Sequence, residues 1–158
     1  MNEHQSTYEQ ILRSLALDVG LDPEELLSTE EIMVDNEAIG LHLDGDPQRG
    51  DLVFFTALGK FAAVGGERVT RTLLEANHFW IGTGGCTLGL QPETGQVILC
   101  GRIRLEDIDG PQLAGLLDAF ADTSAYWRDW IDRASTSGAD TDPLRGVPDS
   151  MRAYMLRV

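Results

Sequence analysis

Residues Asp51–Leu58 read as a strand with apolar side chains on both faces: Leu52, Phe54 and Leu58 on one, Val53, Phe55 and Ala57 on the other. Strand side chains alternate from face to face, so such a stretch has to be covered twice, by the chain's own core or by a partner. The remaining elements arrange themselves around that requirement.

Before it, residues 5–19 place Tyr8, Ile11, Leu12, Leu15 and Val19 at helical spacing, with Ser6 or Thr7 to cap the start and Gly20 to end the helix. Asp22-Pro23-Glu24-Glu25 marks an acidic turn or a short helical start. The period then drops to two. Ile32–Val34 forms a short strand, Asp35-Asn36-Glu37 a turn, and Ile39, Leu41 and Leu43 alternate along a second strand. After the Asp51–Leu58 strand, Gly65-Gly66 breaks the pattern and Glu67–Phe79 predicts a second helix. Thr87–Gln91 and Gln96–Leu105 form a hairpin about Pro92-Glu93-Thr94-Gly95.

Asp109 and Pro111 open the longest helix, whose seam runs through Leu113, Leu116, Leu117, Phe120, Ser124, Trp127 and Ile131 to about Ala134. Trp127 belongs to the core on this pattern. Tyr126 and Trp130, four apart on the neighbouring face, are expected as a surface pair or a contact to another chain. The order is helix, three strands, helix, two strands, helix: an α+β fold with a mostly antiparallel, twisted sheet packed with helices. Residues 1–134 form the domain. Residues 135–158 form a polar linker and a tail with Arg145, Arg152 and Arg157 among Met151, Tyr154 and Met155, mobile or a short helix.

Charge narrows the partners. Twelve Lys and Arg face 26 Asp and Glu, a net charge of −14 and a pI near 4.4. A field of that sign repels nucleic acid and anionic membranes, and it keeps a chain with apolar patches in solution. The polar start, Met1–Gln10, lacks the apolar stretch of a signal peptide, and no stretch has the roughly 18 apolar residues of a membrane span. With Cys86 and Cys100 as the only cysteines, a cytoplasmic location with reduced thiols is the expectation.

No constellation for catalysis stands out. Gly82-Thr83-Gly84-Gly85 follows a helix and precedes a strand, the reverse of a phosphate loop, and lacks its Lys-Ser/Thr end. His4, His42 and His78 sit in no metal-binding frame, and the two cysteines make neither a redox pair nor a zinc frame. Asp44, Asp46 and Asp51 lack the closing Glu of a calcium loop. The expectation is a protein with no catalytic residues, no metal and no cofactor.

The segment Leu73-Leu74-Glu75-Ala76-Asn77-His78-Phe79-Trp80, with Gly82-Thr83-Gly84-Gly85, Thr87-Leu88-Gly89-Leu90 and the turn from Pro92 to Gly95, resembles the type III secretion chaperones of the Tir-chaperone (CesT-like, class I) family. The closing helix with Leu116, Phe120, Tyr126 and Trp127 is similar as well, and the order of elements agrees from residue 5 to about residue 134. The resemblance implies a bacterial cytoplasmic homodimer that hydrolyses no nucleotide and holds the N-terminal region of a secreted effector as an extended, export-ready chain.

It also implies residues. Leu73, Leu74, Asn77, Phe79 and Trp80, helped by Thr87 and Leu88, would form the dimer interface. Leu12, Leu15, Val19, Ile39, Leu41, Val53 and Phe55 would line the groove that receives the effector. A secretion ATPase or sorting platform is a further partner on this reading. The rival is an adaptor or regulatory protein on the same fold that binds a regulator or a secretion-apparatus component.

Overall fold

In the computed structural model, which describes residues 3–46, 48–61 and 66–137, the chain forms α1 (Glu3–Val19), α2 (Pro23–Thr29), β1 (Glu31–Val34), β2 (Glu37–Leu43), β3 (Asp51–Gly59), α3 (Gly66–Asn77), β4 (Thr87–Leu90), β5 (Val97–Arg104) and α4 (Gly110–Ser137). Short 3₁₀ turns cover His78–Trp80 and Leu105–Asp107. The strands hydrogen-bond in the order β1-β2-β3-β5-β4, with β1–β2, β2–β3 and β4–β5 antiparallel. This is the α+β arrangement expected from the sequence, with one addition. Asp22 does more than turn the chain: its carboxylate accepts from the amides of Glu24 and Glu25 and caps α2, with Pro23 in the first turn. The long helix reaches Ser137, three residues past the expected end, and the tail expected beyond it lies outside the described residues.

Contacts group the chain into two units, Met1–Phe55 with Gly101–Ala121, and Thr56–Cys100 with Asp122–Val158. In the first, α1 presents Leu12, Leu15 and Ala16 to a core shared with Ile39, Leu41, Leu52 and Phe54 of the strands and Leu113, Leu117 and Phe120 of α4. Phe54 and Phe120 meet edge to face at 5.0 Å. The start of α4 is fixed by a reciprocal cap. The Gln112 amide donates to the Asp109 carboxylate at 2.9 Å, and the Gln112 side-chain oxygen accepts from the Asp109 amide at 3.0 Å. Gly110, next to this cap, lies against the α1 backbone; a Cβ there would come within 2.5 Å of the Leu15 nitrogen.

The second unit is organised around Trp127, which is fully buried and donates its indole N–H to the Gly82 carbonyl at 2.8 Å. Trp130 stacks edge to face on it at 5.5 Å and is itself 2% exposed. Trp130 is therefore a core residue and not half of a surface pair. The 3-and-4 seam of α4 is wide enough at this end to bury two adjacent ridges.

β3 satisfies its double requirement on one side only. Leu52, Phe54, Thr56 and Leu58 are buried, whereas Val53 and Ala57 are half-buried and Phe55 is 40% exposed. The Phe55 ring lies over Gly40, its partner in register on β2, where a side chain would otherwise stand.

Two outcomes test this packing. Gly110→Ala forces α4 away from α1 and is expected to cost about 1–3 kcal/mol in urea unfolding. Gly115→Ala, where nothing lies within 4 Å, is expected to gain about 0.5–1 kcal/mol. Tyr8 is a second case: buried at 1% exposure, it donates to the Glu30 carboxylate at 2.9 Å. Burial, and then the neighbouring Glu30, push its phenol above the ordinary range. The unfolded chain ionises this group near pH ~10 and the fold resists, so stability is full below that pH and falls as pH rises past it. Tyr8→Phe is expected to flatten that alkaline loss, read as the pH dependence of the urea midpoint.

Candidate functional site

Two surfaces leave large apolar side chains exposed, one in each unit. In the first unit the surface grows out of the β1–β2 hairpin. Asp35 and Asn36 have φ of 47° and 67°, the left-handed pair of a tight two-residue turn. That turn makes Val34 and Glu37 the closing pair, and alternation makes Ile32 and Ile39 the next hydrogen-bonded pair. Glu31 and Met33 then point their backbone N–H and C=O away from β2, along the edge of the sheet. The Thr29 hydroxyl reaches the Glu31 amide at 3.4 Å. Among the described residues nothing reaches the Met33 backbone.

Beside this edge lies a cleft of about 300 Å³ lined by Leu21, Asp22, Glu25, Leu26, Thr29, Glu31, Ile32 and Met33. Met33 is 63% and Leu21 45% exposed; Leu17 and Val19, at the end of α1, are exposed as well. Of the groove residues expected from the sequence, Val19 and Phe55 are exposed and Val53 is half-buried. Leu12, Leu15, Ile39 and Leu41 are sealed in the core of this unit and offer no surface to a partner. The reason is physical. Helical and strand periodicity marks the face that is buried first, which is the core face. Met33 carries no such signal: Ile32-Met33-Val34 is a continuous apolar run, and only the strand order shows that it sits at an edge.

In the second unit α3 buries Val69, Leu73 and Ala76 and leaves Leu74 exposed. Leu74, His78 and Ile81 line an open cleft of about 970 Å³ with Glu67, Thr70, Arg71 and Glu75 on its walls. After Asn77 the chain turns through Phe79 and Trp80, which have φ of 50° and 57°. Bulky side chains rarely take that conformation, and each such residue costs on the order of 1–3 kcal/mol. Both rings are more than half exposed.

Asn77 has a different role from the one expected. Its side-chain amide donates to the Leu88 carbonyl and accepts from the Leu88 amide, each at 2.9 Å. It stands in for a neighbouring strand at the β4 edge beside Leu88. Leu73 and Leu88 pack within the unit too, while Leu74, Phe79, Trp80 and Thr87 reach the surface.

Gly82–Gly85 is a structural turn. The Gly82 carbonyl takes the Trp127 indole, and the Thr83 hydroxyl donates to the Cys86 carbonyl at 2.5 Å. Burial, with Cys100 as a second cause, pushes the Cys86 thiol up to about 12, so it holds its proton at neutral pH and is a poor nucleophile. Among the described residues no three His, Cys, Asp or Glu side chains are grouped to hold a metal ion, and no helix is long and apolar enough to cross a membrane.

Residues 10–128 match the Tir chaperone protein (CesT) family. The chain belongs to that family. Solved structures agree on the fold at low identity. A chain of the HopA1–SchA chaperone–effector complex superposes with a TM-score of 0.61 at 17% identity, covering 85% of this chain and 99% of that one. The ExsC–ExsE complex gives 0.63 at 19% identity, with coverage of 83% and 97%. The Yersinia pestis type III secretion chaperone SycH, solved with a fragment of YscM2, gives 0.57 at 21% identity, with coverage of 75% and 97%. No curated protein matches the chain.

The family assignment makes the two sheet edges the features to probe. Asn77→Leu keeps the branched outline but strips Leu88 of both partners. It is expected to cost about 1–3 kcal/mol and to raise hydrogen exchange at the Leu88 amide, with the Met33 amide exchanging fast in both proteins.

Proposed function

We propose that this chain is a type III secretion chaperone: it binds the N-terminal region of a secreted effector and keeps it soluble and export-competent. The observation that carries the reading is the open β1 edge at Met33 beside an apolar cleft, in a chain of the Tir chaperone family. An extended segment can add to such an edge through main-chain hydrogen bonds, with alternate side chains entering pockets. The groove comprises Leu21 and Met33 together with Val19, Val53 and Phe55, while Leu12, Leu15, Ile39 and Leu41 hold the scaffold behind it. Ordering an effector segment costs roughly 2–5 kcal/mol or more, so a second groove on a second copy is an advantage.

The active form is a homodimer. Leu74, Phe79, Trp80 and Ile81 form the self-complementary patch, with Thr87 beside it. The backbone strain at Phe79 and Trp80 holds two rings outward, and contact with a second copy would offset it. The protein acts in the bacterial cytoplasm, performs no chemistry of its own, and hands its client to a secretion ATPase or sorting platform. The basic, apolar stretch with Arg145, Arg152 and Arg157 favours a second reading, an adaptor that binds a regulator or an apparatus component.

Affinity capture of the tagged protein from its native bacterium, under secretion-inducing conditions, separates the two. One secreted protein held through its N-terminal region supports the chaperone; a regulator or apparatus component alone supports the adaptor. Leu74→Asp with Trp80→Asp, both at exposed positions, is expected to halve the mass in light scattering with the circular dichroism unchanged. An intact dimer would move the interface elsewhere.

A further inference from the structure

The apolar cleft beside β1 carries charge of one sign only. Asp22, Glu25 and Glu31 line it, and among the described residues no Lys or Arg does. The Asp22 carboxylate is engaged in capping α2, and the nearby Glu24 is paired with Arg13. Glu25 and Glu31 remain, with no cation partner among the described residues. Both are exposed, one on the α2 wall and one on β1 itself.

A strand added along β1 would hydrogen-bond to Met33. Its side chains would alternate between the face of β1 that carries Ile32 and the face that carries Glu31 and Met33, and residues of both faces border the cleft. Opposite charges across neighbouring strands attract and like charges repel. A second copy of β1 is disfavoured on this count. Antiparallel pairing centred on Met33 would set Glu31 against Asp35 of the other copy, carboxylate against carboxylate.

We infer that the occupant is a client segment in which apolar residues alternate with Lys or Arg, and that Glu25 and Glu31 select it. This rests on the chaperone reading and adds to it the chemistry of the bound segment. The net charge of −14 would draw any cationic peptide, so local selection has to be separated from the field of the whole chain.

Three fluorescein-labelled 12-residue peptides, alternating Val with Lys, Ser or Glu, measured by anisotropy on the full-length protein, make the separation. The Val–Lys peptide is expected to bind most tightly and the Val–Glu peptide least. Glu25→Gln with Glu31→Gln is expected to weaken Val–Lys binding about two- to fivefold per carboxylate. Glu93→Gln with Asp118→Asn, which removes the same charge from exposed positions elsewhere, should leave binding within about twofold.

Equal weakening by both pairs of changes would assign the effect to net charge and overturn the proposal. Equal binding of the Val–Lys and Val–Ser peptides would overturn charge selection and leave the edge as a docking site. Met33→Pro blocks strand addition without disturbing β2, because the Met33 N–H faces the open edge. Val–Lys binding that survives Met33→Pro, or a smaller oligomer in that variant, would overturn the proposal; the latter would make a second copy the occupant. If no peptide binds while capture still retains a secreted protein, the inference fails and the chaperone function stands.

Discussion

The constraint on which this fold turns is that a sheet has two edges, and each edge presents backbone donors and acceptors that need partners. The chain treats its two edges differently. At β4 the Asn77 amide occupies both backbone groups of Leu88. At β1 the Met33 groups face outward with an apolar cleft beside them. A four-residue strand is short enough to avoid indiscriminate edge-to-edge association, and Glu31 on its exposed face adds a like-charge barrier to self-pairing. One edge is covered by a side chain at Leu88 and the other is charged and open at Met33, a combination suited to accepting a strand at β1.

The apolar surfaces follow the same logic. In the first unit Leu17, Val19, Leu21, Met33 and Phe55 are exposed; in the second, Leu74, Phe79, Trp80, Ile81 and Leu90. Exposed patches of this kind mark interaction sites or invite aggregation. A net charge of −14 supplies long-range repulsion that opposes unspecific aggregation while leaving short-range apolar contacts available. Acidity and apolar exposure are therefore two halves of one design, and neither is informative alone.

Most of the fold was legible in the sequence because its signals are local. The period change after Gly20, the seam from Leu113 to Ile131 and the Pro92–Gly95 turn each fix an element through near neighbours. The helix at Pro23–Thr29, legible only as an acidic turn or a short helical start, is short, and its stability comes from the Asp22 cap, not from periodicity. The site was less legible. Leu12, Leu15, Ile39 and Leu41 carry the strongest periodic signal in the first unit, and that signal reports burial. The residues available to a partner are those left over once burial is satisfied, and a single sequence does not label them.

Asn77 shows where the boundary falls. In sequence it sits in the segment Leu73–Trp80 that carries the family resemblance, and nothing in its spacing separates it from Leu74 or Phe79. Only the pair of 2.9 Å contacts to Leu88, eleven residues on, reveals a residue that completes a sheet edge. Two neighbouring residues in one resemblance segment thus serve opposite ends. Asn77 closes backbone groups that would otherwise invite association. Phe79, two positions later, is held in a costly left-handed conformation with its ring outward. Within three positions the segment covers one set of backbone groups and leaves one large ring exposed, and its spacing alone distinguishes neither.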